Sequence, residues 1–122
     1  MAGGLAALVR GYLDHLTVER GLAANTLASY RRDLGRYVAV LAAAGRTAPA
    51  DITEADVTAC LRQLREGDDD HPALGASSAA RAVVAVRGFH RFLLEEGSVT
   101  ADVAARVKPP TPPRRLPKAI PV

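Results

Sequence analysis

The sequence predicts an all-α domain: a bundle of four main helices with room for a short fifth. Three observations carry this. Apolar residues recur at helical spacing in separate segments, with glycine and proline between them. Alanine is abundant, and alanine loses least in a helix. Strand signals are weak throughout and no internal repeat is visible. Aromatic residues make up only 4% of the chain against 48% hydrophobic overall, so the core is expected to be leucine, valine and alanine.

The first helix is expected from about Leu5 to Glu19, with Leu5, Leu8, Val9, Tyr12, Leu13 and Leu16 on its buried stripe and Gly21 as its C-cap. The second begins near Asn25 or Thr26, either of which can accept a bond from a free first-turn N–H, and ends before Gly45. Its stripe is Leu27, Tyr30, Leu34, Tyr37, Val38 and Leu41. At about 100° per residue, Asn25, Ser29, Arg32 and Arg36 fall on the opposite face. Thr53 is the natural N-cap of the third helix, and Glu54 and Asp56 suit the positive end of its dipole. Val57, Cys60, Leu61 and Leu64 form its buried face. Gly67 to Gly75 reads as a loop, broken by Pro72. Ser77 or Ser78 then caps a fourth helix that ends near Gly97. Ala79, Ala82, Val86, Phe89 and Leu93 make its stripe, and Arg81, Arg87 and Arg91 point away from it. A short fifth helix starts at Thr100 and includes Val103, Ala104 and Val107.

After Lys108 the chain changes character. Six of its eight prolines lie between Pro109 and Pro121, which forbids helix and favours an extended path. Residues 1–108 therefore read as one helical domain and 109–122 as a basic, proline-rich linker. From Val103 to the end, Arg106, Lys108, Arg114, Arg115 and Lys118 meet no acid.

A length of 122 residues allows one domain with one core. The formal charge of +3 is mildly basic and permits a nucleic-acid partner without requiring one. Cys60 is the only cysteine, which excludes an internal disulfide or a cysteine-rich metal site and fits a reducing cytoplasm; it reads as a small core residue. No apolar run reaches membrane-span length, and the N-terminus does not resemble a signal peptide. There is no phosphate-binding glycine loop, paired-histidine motif or nucleophile elbow. His15, His71 and His90 stand far apart and are read as packed or surface residues. Asp68–Asp70 lacks calcium-loop spacing and reads as a solvated loop. Tyr12, Tyr30 and Tyr37 lie on apolar stripes, as core residues do. No metal, cofactor or small-molecule substrate is expected.

The arginine-bearing faces admit two readings. Arg31, Arg32 and Arg36 can simply solvate a surface, with Asp33 pairing along its own helix to Arg36. Alternatively, they meet DNA. The absence of adjacent acid beside Arg32, Arg36, Arg81 and Arg87, and the small residues Ser29, Gly35, Ala39 and Gly88, favour a nucleic-acid face. A helical module that docks an acidic protein is the alternative.

The segments Leu13–Leu22, Asn25–Leu34, Ile52–Val57, Ser77–Arg81, Val86–Leu93 and Arg114–Lys118 occur in an order that resembles the N-terminal core-binding, SAM-like domain of tyrosine site-specific recombinases of the Xer branch, the XerD group over the XerC group. One departure is Thr100-Ala101-Asp102, where the family often has Asn-Pro. The resemblance implies half of a C-shaped clamp on duplex DNA, with the second and fourth helices at the major groove. It implies DNA contacts from Asn25, Thr26, Ser29 and Arg32 on one helix and from Ser77, Ser78, Arg81 and Arg87 on the other. Arg36 and Arg91 join them on charge and facing. It further implies a longer parent protein whose separate catalytic domain cuts and rejoins strands through a phosphotyrosyl link, without metal or nucleotide. A second recombinase subunit in a tetrameric synapse and a role in chromosome dimer resolution follow from the same resemblance. This chain itself carries no catalytic constellation.

Overall fold

The structure, a computed structural model, describes residues 4–69 and 71–107. Four α-helices carry the fold: α1 (Gly4–His15), α2 (Ala24–Ala43), α3 (Glu54–Glu66) and α4 (Ala76–Glu95). A π-helical turn, Leu16–Arg20, extends α1, and a short 3-10 turn, Pro49–Asp51, precedes α3. No strand occurs among the described residues. Both α2 and α4 pack against each other and against the two flanking helices, α1 and α3.

The core follows the apolar periodicity. Leu5, Val9, Tyr12 and Leu13 of α1 meet Leu34, Tyr37 and Leu41 of α2, the α3 residues Val57, Cys60, Leu61 and Leu64, and Val86, Phe89 and Leu93 of α4. Aliphatic side chains at i, i+3 and i+4 give each helix one stripe to bury, which is what a bundle needs. Burial pushes the Cys60 thiol up to about 11, so it packs as an uncharged core residue. Tyr37 is fully enclosed, and its hydroxyl lies 2.7 Å from Nε2 of buried His90. Burial drives the Tyr37 phenol well above its ordinary range and pulls the His90 imidazole down to about 4. Tyr30 is half-buried rather than enclosed, and packs against the edge of the core.

Local chemistry explains the boundaries. Gly21 ends the first helical segment in the left-handed conformation, at φ 59°. Thr53 caps α3 in a full capping box: its hydroxyl accepts from the Asp56 N–H at 3.1 Å, and the Asp56 carboxylate accepts from the Thr53 N–H at 2.9 Å. Arg46 also donates to Asp56 at 2.8 Å, and this bond holds the carboxyl below its ordinary range.

Four expectations need correction. Helix α1 does not run regularly to Glu19, because its last turn widens into the π form. Asn25 and Thr26 do not cap α2, nor do Ser77 and Ser78 cap α4. The N-caps are Ala23 and Gly75, in extended conformation and without side-chain hydrogen bonds, so the polar pairs fall inside the first turns. The fifth helix does not form. Asp102 Oδ1 accepts the Ala104 N–H at 3.0 Å and Val107 N–H reaches only the Ala104 carbonyl, so turns replace i→i−4 bonding. Ala104 and Val107 are nevertheless buried, so this segment still closes the core. The linker over 109–122 lies outside the described residues.

Candidate nucleic-acid interface

One ion pair organises the surface. Asp33 of α2 lies on the flank of its apolar stripe and is buried, with 5% of its side chain exposed. Arg81 of α4 donates to it twice, through Nε at 2.7 Å and a terminal nitrogen at 2.9 Å. These bonds raise the Arg81 guanidinium further above its already high range. Asp33 does not pair along its own helix with Arg36, and Arg81 is not beside a face free of acid. The sequence separation of 48 residues hides the pair from any local reading.

The pair fixes α2 against α4. Ser29 and Arg36 sit one turn to either side of Asp33, and Ser77 and Ser78 sit one turn before Arg81. The structure thus brings Ser29, Arg32, Arg36, Ser77, Ser78 and Arg81 around one junction. Arg32 is exposed and donates to the Ser29 hydroxyl at 3.3 Å. Arg36 is half-buried and has no ion-pair partner among the described residues. Asn25 and Ser77 are exposed, Thr26 and Ser78 partly so, each in the first turn of its helix.

Arg87 and Arg91 lie further along α4, away from this junction. Both are exposed; Arg87 reaches the Ala105 carbonyl at 3.3 Å and Arg91 pairs with Glu95 at 3.2 Å. They line a cleft of about 400 Å³ together with Arg20 of the π-helical turn. Val84, 57% exposed on an otherwise polar and cationic strip, lines the same cleft. The sequence reading missed Arg20 and Val84. The signal for Val84 was present, since valine here breaks the polar face of an amphipathic helix. That for Arg20 was not, because the π turn redirects it. Among the described residues no cluster of histidine, cysteine, aspartate or glutamate could hold a metal ion. No helix is long and apolar enough to cross a membrane.

Residues 9–97 match the family model described as phage integrase, N-terminal SAM-like domain. The chain belongs to this family. Similarity to curated proteins agrees with it. Tyrosine recombinase XerD of Mycobacterium tuberculosis (strain ATCC 25618 / H37Rv) is 58% identical over 118 residues, covering 95% of this chain and 38% of that protein. Tyrosine recombinase XerD of Mycobacterium leprae is 54% identical over 120 residues, covering 97% and 38%. A tyrosine recombinase XerC, from Roseiflexus sp., is 37% identical over 112 residues, covering 92% and 34%. The chain therefore spans a little over a third of the length of the relatives it matches. No solved structure matches it. The SAM-like family assignment agrees with the four-helix architecture and with the XerD resemblance of the sequence.

Proposed function

We propose that this chain is the DNA-gripping domain of a tyrosine recombinase, and that α2 and α4 together present the surface that meets the major groove. The observation that carries this is the Asp33–Arg81 junction. It holds two polar, arginine-bearing helix faces side by side, with Arg32 and Arg36 on one and Arg81 on the other. The first turns of both helices support the same reading. With Ala23 and Gly75 as caps, no cap side chain occupies the first-turn N–H groups. Such groups donate to phosphate oxygens, with Asn25, Thr26, Ser77 and Ser78 beside them as further donors. Arg81 then acts by holding the two helices in register as well as by its own charge, whereas Arg32, Arg36 and Arg87 are the side chains placed to reach bases or phosphates.

In this account strand cleavage and rejoining belong to another domain of the protein, and this domain supplies grip and orientation. A second recombinase subunit in a tetrameric synapse, resolution of chromosome dimers and action in the cytoplasm are parts of the same proposal, drawn from the family. The test is fluorescence anisotropy of this chain with labelled duplexes drawn from a random pool, at several salt concentrations. Binding that weakens linearly on a log–log salt plot, with preference for some sequences, supports the proposal. Binding without any base preference, or none at low salt, contradicts it and favours an acidic protein partner or a merely solvated face.

A further inference from the structure

We propose that the cleft between the π-helical turn and α4 seats a phosphodiester of the bound duplex, with Arg20, Arg87 and Arg91 as its clamp. This rests on the DNA reading above. It adds a residue, Arg20, and a role, contact with the DNA backbone in place of the base edges.

The placement of Arg20 is the first argument. Leu16–Arg20 forms a π turn, which is wider than an α turn and shifts the direction of every side chain after it. Its widening is stabilised locally, since the Thr17 hydroxyl donates to the Leu13 carbonyl at 2.9 Å and Gly21 terminates the turn. Arg20 then lines the same cleft as Arg87 and Arg91 of α4. The cleft has its depth because Gly88 forms part of its wall. A Cβ there would collide with the Tyr12 hydroxyl, so only glycine lets α1 approach α4 this closely.

Charge is the second argument. Two carboxylates border this region. Glu95 pairs with Arg91 at 3.2 Å, and Asp102 accepts the Ala104 N–H at 3.0 Å. Against three guanidinium groups they leave a net positive site. Neither Arg20 nor Arg87 makes an ion pair among the described residues, so their charges are the uncommitted ones. A fork of fixed N–H donors matches a phosphate better than a point charge does.

Direction is the third argument. On the helical wheel of α4, Ser77, Arg81, Val84, Gly88 and Arg91 cluster within about 80°, and Arg87 lies at the flank, about 80° from Ser77. The major groove, about 12 Å wide, just admits a helix. A helix that turns its Ser77–Arg81 end to the base edges brings the cleft, which lies further along α4 and is lined by Val84 and Gly88, and with it the neighbouring π turn, against the phosphate wall.

The experiment measures the salt dependence of binding for this chain, Arg20→Gln and Arg20→Lys, by anisotropy on two labelled duplexes of unrelated sequence, with circular dichroism to check helicity. Loss of one phosphate contact should lower the log–log salt slope by about 0.9. Between about 50 and about 200 mM salt, Arg20→Gln should therefore lose about 3.5-fold less affinity than the unsubstituted chain, equally on both duplexes. Arg20→Lys should restore most of the slope. An unchanged slope for Arg20→Gln, with the unsubstituted chain still steeply salt-dependent, overturns the phosphate cleft and leaves the DNA-gripping face standing. A loss confined to one duplex also overturns it, because it marks a base contact. A flat salt response of the unsubstituted chain overturns both.

Discussion

Replacing Arg81 by alanine should destabilise the bundle before it says anything about DNA. The substitution strands the Asp33 carboxylate, which is only 5% exposed, without its two charge-assisted hydrogen bonds. Breaking a fully buried pair in this way costs about 3–5 kcal/mol. Arg81 is itself 33% exposed, so water reaches part of the vacated space and the expected loss falls to about 2–3 kcal/mol. For a domain of this size that lowers the melting temperature by about 10 °C. The measurement is urea and thermal unfolding followed by far-ultraviolet circular dichroism. Arg81→Ala combined with Asp33→Asn should recover at least half of the loss, because the amide leaves no charge to solvate. DNA affinity of Arg81→Ala should fall as the helices lose their mutual register. If Arg81→Ala is as stable as the unsubstituted chain while DNA binding collapses, the pair does not hold the helices and Arg81 acts on DNA alone.

Three further outcomes follow from the packing. His90 titrates at about 4 in the fold against about 6.5 when unfolded, so the unfolded chain binds the extra proton between these values. Stability should therefore fall by about 2 kcal/mol between pH 7 and pH 5, and urea midpoints of His90→Gln should lack this step. Gly88→Ala should destabilise by about 1–2 kcal/mol despite its gain in helix propensity, because Tyr12 is wedged between Phe89 and Phe92 and its hydroxyl cannot retreat. Adding Tyr12→Phe should relieve most of that loss in thermal melts. Thr53→Ala should cost about 1 kcal/mol by opening the capping box of α3, read as a lower urea midpoint with an unchanged slope.

Periodicity made the four buried stripes legible, because a helix that buries one face must repeat apolar residues every three or four positions. The caps divided by chemistry. Thr53 announced itself with Asp56 three residues later, whereas Ala23 and Gly75 carry no side chain that can cap and leave no mark in the text. The polar residues beside them drew attention instead. In the candidate interface, the facing of Arg32, Arg36 and Arg87 could be read from the wheel. The pairing of Asp33 with Arg81 could not, since it depends on how α2 crosses α4. Asp33 did carry a hint, lying only about 60° from Tyr30 on the wheel and so close to the buried stripe. The segment after Gly97 misled for a different reason: Val103, Ala104 and Val107 have helical spacing and are indeed drawn into or against the core, but by turns that Asp102 stabilises.

The central claim is that α2 and α4 present one DNA-binding surface, and amide chemical-shift mapping tests it most directly. Titrating a duplex selected from a random pool into isotope-labelled protein should shift the signals of residues 25–36 and 77–91, with the α3 residues Glu54–Glu66 unmoved. Shifts that concentrate on α3 and the Gly67–Gly75 loop, with α2 and α4 silent, would contradict the account.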